Sequence, residues 1–279
     1  KRFMSFDFSK ELLDLAGKAE ERAALRFRAI EEVSFKNTQK IMEAFARHRV
    51  SETYFRGTTG YGYDDLGRDR LEEIYADVFG CEAALVRTGF VNGSHAIACG
   101  MFACLSKGGL LLSLTGNVYD TLQTVTGQRG ALGGTFPDYG LGFDYVKLKD
   151  GLPDYEAIEK RLECPEVTAV FVQRSRGYGS RHTLSIDEIA GLCSLVKSLR
   201  PDVPIMVDNC YGEFCALKEP TQVGADLICG SLIKNPGGGL APMGGYVAGK
   251  KELVEKAANR LTLPGIGKEC GATLEVNRS

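Results

Sequence analysis

Lys234 stands in the run Gly230-Ser231-Leu232-Ile233-Lys234-Asn235-Pro236-Gly237-Gly238-Gly239, between an apolar stretch of strand character and a glycine-rich turn. A lysine at the end of a buried strand is costly unless its amine is put to use. Upstream, Val203-Pro204-Ile205-Met206-Val207 runs into Asp208, a carboxylate at the expected carboxyl end of a second buried strand. A lysine that forms a Schiff base and an aspartate that pairs with a pyridinium nitrogen are the two groups that hold and tune pyridoxal phosphate. Taken singly, each feature has an ordinary role: a surface lysine, a loop-capping aspartate, a flexible turn at 237–239. Taken together and in this order, they point to the cofactor.

Such a pair needs a sheet to position it. Short apolar runs at 83–86, 110–114, 167–172, 203–207 and 227–229 read as strands, and helical patterns at 94–105, 155–162 and 186–199 lie between several of them. Near-continuous apolar strands alternating with helices predict an α/β fold with a mainly parallel sheet covered on both faces. Ligands in such sheets bind beyond the carboxyl ends of the strands, where Asp208 and Lys234 fall. The stripe Leu71, Ile74, Tyr75, Val78, Phe79 gives a further helix, stopped by Gly80. Before it, Ser9 caps a helix carrying Leu12, Leu13, Leu15, Ala16 and Ala19, and 35–48 offers a second; these predict an N-terminal helical arm.

The 279 residues, 44% of them hydrophobic, suffice for a large core, and a formal net charge of -2 gives no basic field for nucleic acid or anionic lipid. The apolar runs are strand-sized, too short to span a bilayer. Lys1-Arg2-Phe3-Met4 shows no secretory leader, so a cytoplasmic location is expected. Nine scattered cysteines without a Cys-x-x-Cys pair, beside only His48, His95 and His182, predict free thiols and no metal site.

Asn92-Gly93-Ser94-His95, after the 83–86 strand and at a helix start, suits a phosphate cup. Glycine lets the backbone approach, Ser94 adds a hydroxyl, and the helix aims free N–H groups at the anion. His95 either leans over a cofactor ring or packs. Arg174 and Arg176, just after the 167–172 strand, are forked cations able to pair a carboxylate or the ring oxygen, or to form solvated salt bridges. These segments, with Gly60-Tyr61-Gly62-Tyr63-Asp64-Asp65-Leu66-Gly67-Arg68, Tyr119-Asp120-Thr121-Leu122, Gln173-Arg174-Ser175-Arg176-Gly177-Tyr178 and Val207-Asp208-Asn209-Cys210-Tyr211-Gly212-Glu213-Phe214, resemble one family along essentially the whole chain. It is the methionine gamma-lyase-like family, also known as aluminium resistance proteins, a branch of the fold-type I pyridoxal phosphate enzymes related to cystathionine beta-lyases.

The resemblance implies several roles. Ser231 corresponds to a serine giving related lyases a second phosphate contact, and Tyr119 to the tyrosine that stacks on the ring and exchanges a proton with substrate. Tyr61, Tyr63 and Arg68 resemble a segment that crosses a dimer interface to grip the neighbour's phosphate, although Arg68 lies further from Tyr63 than the family spacing; a surface turn is the alternative. A homo-oligomer follows, a dimer or a dimer of dimers (homotetramer). Residues 1–50 are then the arm, 51–250 the pyridoxal phosphate-binding large domain, and 251–279 the start of a connection to a C-terminal small domain, so the sequence is read as a fragment carrying the cofactor domain. The implied activity is carbon–sulfur lysis of a sulfur amino acid of methionine or cystathionine type, yielding 2-oxo acid, ammonia and thiol. A threonine-aldolase-like retro-aldol enzyme and a non-catalytic stress-response protein on the same fold are the alternatives.

Overall fold

The computed structural model describes residues 7–271. Seven strands make one sheet: β1 Ala83–Arg87, β2 Leu110–Ser113, β3 Gly142–Tyr145, β4 Val167–Gln173, β5 Ile205–Asp208, β6 Leu227–Ser231 and β7 Gly245–Gly249. Their order is β1-β7-β6-β5-β4-β2-β3. β7 runs antiparallel to β1 and β6, and every other pair is parallel. The carboxyl ends of β2, β4, β5 and β6 therefore share one edge. The expected α/β class holds, and all five expected strands are present.

β3 and β7 were not expected, for two different reasons. β3 is Gly-Phe-Asp-Tyr at the sheet edge, half-buried throughout, and carries no apolar run. β7 is fully buried but bounded by Gly245 and Gly249 directly after the glycine turn, where glycine reads as loop.

The helices are α1 Lys10–Arg47, α2 Leu66–Phe79, α3 Gly93–Cys104, α4 Asp120–Val125, α5 Tyr155–Leu162, α6 Ile186–Leu199 and α7 Lys251–Leu261. Alternation along the strands explains the layers. Val170, Val172, Ile205 and Val207 join one core with Val78, Ile158, Leu192 and Val196 of α2, α5 and α6. Ala169, Phe171 and Met206 join the other with Ile97, Leu122 and Val254 of α3, α4 and α7. Both faces are apolar, so the runs look continuous in sequence. A Cβ at Gly100 in α3 would meet Cys229 Sγ at 2.5 Å and Met206 Cε at 2.8 Å; glycine lets this helix lie close on β5 and β6.

Local signals set the ends. Ser9 Oγ accepts from Leu12 N at 3.3 Å, Gly80 closes α2 at φ 63°, and Ser185 with Glu188 forms a capping box opening α6. The two expected N-terminal helices are in fact one helix of 38 residues. The stretch 20–34 holds neither proline nor glycine and is rich in Ala, Glu and Arg, so nothing interrupts the hydrogen-bond ladder. No helix of the described residues is long and apolar enough to cross a membrane.

Candidate active site

The connections after five strands, β1, β2, β4, β5 and β6, build a cavity of 310 Å³ at the carboxyl edge, lined among others by Gly93, Ser94, Tyr119, Asp208, Ser231 and Lys234. Asp208 ends β5 between Gln173 of β4 and Cys229 of β6. It is 3% exposed, and its Oδ1 accepts from Cys210 N at 3.1 Å. Burial pushes its carboxyl above the ordinary range, while the Cys210 hydrogen bonds and the Lys234 charge pull it back. Lys234 follows β6 and begins the tight turn at Asn235–Gly237. Its Nζ lies 4.0 Å from the centre of the Tyr211 ring. Burial opposes the ammonium charge, but Cys210, Asp208 and Tyr211 outweigh it and hold the amine above its usual value.

The opposite wall is the start of α3. Asn92 Oδ1 caps it by accepting from His95 N at 3.0 Å. A Cβ at Gly93 would stand 2.8 Å from Ser231 Cβ, so only glycine lets the helix start approach the end of β6 this closely. Ser231 is 1% exposed, and its Oγ is buried with no hydrogen-bond partner among the described residues. A buried hydroxyl left unpaired costs about 1–3 kcal/mol. It faces the cavity that the free N–H groups of α3 also face, and a phosphate there would satisfy both. Ser94 Oγ is hydrogen-bonded to Tyr119 Oη at 2.9 Å. Burial, with Asp208 next, drives the Tyr119 phenol well above its ordinary value, so it keeps its proton at neutral pH.

Other expected residues lie elsewhere. His95 packs edge-on against Phe90, its Nδ1 accepts from Val91 N at 3.2 Å, and it is not among the residues lining the cavity. Arg68 is 7% exposed, and its guanidinium donates to the carbonyls of Gly62 at 2.7 Å, Gly271 at 3.0 Å and Glu269 at 3.2 Å. Those donors are used inside its own chain rather than presented outward. Tyr61 and Tyr63 are exposed, with ring centres 6.1 Å apart. Arg176 lines an adjoining cavity rather than this one. Arg174 is buried and donates to Asn209 Oδ1 at 2.8 Å, a structural tie.

Sequence reasoning gave no role to Gln173, Cys210 and Tyr211, which also line the cavity. Each follows a strand by no more than three residues or ends it, the position that already marked Asp208 and Lys234. Their residue types alone carry no cofactor signal.

A buried strand-end carboxylate, a lysine after the next strand and a helix start thus surround one cavity, in a fold shared with fold-type I pyridoxal phosphate enzymes. The chain belongs to the methionine gamma-lyase family, whose model matches residues 12–279. It is 48% identical over 247 residues to the uncharacterized protein YnbB of Bacillus subtilis (strain 168), covering 88% of this chain and 58% of that protein. The crystal structure of a carbon-sulfur lyase involved in aluminum resistance from Clostridium novyi NT superposes with a TM-score of 0.92 at 45% identity, covering 97% of this chain and 65% of that one. The pyridoxal-5'-phosphate dependent protein YhfS from Escherichia coli shares the fold at 22% identity and TM-score 0.62, over 83% of this chain and 57% of its own. The chain thus spans about three fifths of the length of these relatives.

Proposed function

We propose that the chain carries the cofactor half of a pyridoxal phosphate-dependent carbon–sulfur lyase acting on a sulfur amino acid of methionine or cystathionine type. The observation that carries this reading is the convergence of Lys234, Asp208, Tyr119 and the unpartnered Ser231 Oγ on one cavity closed by the start of α3. The residues fit the cofactor. Gly93, Ser94 and Ser231 would hold its phosphate, Asp208 its ring nitrogen, and Lys234 its aldehyde carbon. When bound, it supplies an electron-accepting ring and a carbonyl carbon that links to amines.

The chain's own groups do the rest. Asp208, buried at the end of β5, would pair with the ring nitrogen and, as a carboxylate, favour its protonated form. Lys234, whose amine would hold the aldehyde carbon, would serve as the base for the substrate's Cα proton. Tyr119, kept protonated by burial and oriented by Ser94, is the acid that meets the departing sulfur. Overall, thioether amino acid and one water give 2-oxo acid, ammonia and thiol.

The test uses full-length protein supplied with methionine and cystathionine, reading thiol and 2-oxo acid together. Asp208→Asn is expected to retain cofactor yet lose elimination by at least about a hundredfold, the scale for removing a well-placed electrostatic group. Turnover near the parent rate in that variant contradicts the assignment, and the absence of both products from the parent contradicts the activity.

A further inference from the structure

A second cavity, of 550 Å³, shares Tyr119, Gln173 and Tyr178 with the cofactor cavity and is lined by Arg176 but not by Lys234. Three features of its lining point to a ligand. Gln173 is 7% exposed; its Nε2 is held by the Ser175 carbonyl at 3.1 Å, yet its Oε1 is buried with no partner among the described residues. An unpaired buried acceptor is expensive, and a ligand donor would relieve it. Arg176 is exposed and forms no ion pair among the described residues. The neighbouring arginines are occupied. Arg174 is tied to Asn209, and Arg181 donates to the carbonyls of Gln173 at 2.6 Å, Ser175 at 2.7 Å and His182 at 2.9 Å. Arg176 is thus the guanidinium of this segment left free to bind an anion. Finally, Val118 and Leu148 add an apolar side to the same space, suited to the methylene next to a thioether sulfur.

Tyr119, the acid proposed to meet the departing sulfur, lines both cavities, so the second cavity adjoins the group that leaves with that sulfur. We propose that this cavity receives the leaving-group end of the substrate and selects a thiol that carries a carboxylate, with Arg176 pairing the carboxylate and Gln173 Oε1 accepting an N–H placed beside it. The proposal rests on reading the first cavity as the cofactor site. It separates two substrate classes that share one α-amino-acid head. A methyl or alkyl thiol leaves Arg176 and Gln173 without partners, whereas an amino-acid thiol satisfies both.

The experiment compares S-carboxymethyl-L-cysteine with S-propyl-L-cysteine on full-length, cofactor-loaded protein. The two have identical heads and side chains of similar length that differ in the terminal charge. Apparent affinity is read from the amplitude of the rapid change in the bound cofactor's absorbance on mixing, before turnover. The parent should bind the carboxymethyl compound tighter by about fivefold or more, as a charge-assisted contact in a partly enclosed site gives. Arg176→Met should abolish that preference while leaving S-propyl affinity within about twofold. Because Arg176 is exposed and its side chain forms no hydrogen bond or ion pair among the described residues, the variant is expected to fold, and its retained cofactor absorbance checks this. Equal binding of both compounds by the parent, binding of neither, or equal weakening of both in Arg176→Met overturns the subsite. A parent that takes up no cofactor overturns instead the reading of the first cavity, and the subsite with it.

Discussion

Glu213 lies beside the Lys234 turn, its Oε1 accepting from Tyr246 Oη at 2.9 Å and its backbone carbonyl accepting from Asn235 Nδ2 at 2.9 Å. Around it are Asp208 of β5, Tyr246 of β7, and Glu219, which is itself held by Asn209 Nδ2 at 3.0 Å and Phe214 N at 2.9 Å. Burial, with Asp208 and Glu219 adding to it, pushes the Glu213 carboxyl from 4.5 up to about 8. The folded protein therefore keeps a proton that the unfolded chain releases above its ordinary value. A raised carboxyl pKa means stability that is present below pH 4.5 and is lost as pH rises through about 8. Glu213→Gln copies the protonated form, so its denaturant-derived stability should fall less than the parent's across that window. Parallel stability curves for parent and variant would contradict the buried neutral acid. This network was not legible in the sequence: Glu213 sits inside a recognised motif, but its partner Tyr246 is 33 positions away and meets it only through strand order. Asp208 and Lys234 were legible because each interrupts an apolar run with a charge at a strand end.

At the scale of elements, the Asn37 side chain joins α1 to the loop beside the site. Asn37 is 4% exposed, and its Nδ2 donates to the carbonyls of Phe214 at 2.9 Å and Ala216 at 3.0 Å. Those carbonyls belong to the loop that leaves Asp208, and Phe214 sits there at φ 61°, a strained value for an aromatic residue. Asn37→Ala strips both carbonyls of their donor and should destabilise the fold by about 1–3 kcal/mol, read as a lower denaturant midpoint at unchanged slope. An unchanged midpoint would show that the arm does not brace this loop. The bounds of α5 and α6 could be read from the sequence, since capping residues and helical spacing agree there. The continuity of α1 was hidden because most of its length is exposed, leaving no apolar stripe to follow through its middle. β3 and β7 escaped because an edge strand and a glycine-bounded strand take their conformation from pairing rather than from their own residue types.

At the scale of the molecule, the chain covers 58% of its Bacillus relative and 65% of its Clostridium relative, so assembly and turnover are proposals for the full-length protein. We propose a homo-oligomer in which the exposed Tyr61 and Tyr63, carried on a loop with Gly60 at φ 68° and Gly62 at φ 65°, reach the neighbouring site. Arg68, whose guanidinium is spent on its own chain's carbonyls, braces that loop from behind. If so, a full-length double variant Tyr61→Ala, Tyr63→Ala and a Lys234→Ala variant should each be inactive, while mixed subunits recover activity in hybrid sites. A fully active monomer by sedimentation would contradict the arrangement.

Borohydride trapping tests most directly whether Lys234 carries the cofactor. Protein incubated with pyridoxal phosphate, reduced and digested should carry the label on the peptide containing Lys234 and on no other lysine. Lys234→Ala should show neither label nor the visible absorbance of lysine-bound cofactor. Label on a different lysine, or unchanged absorbance in Lys234→Ala, would contradict the account.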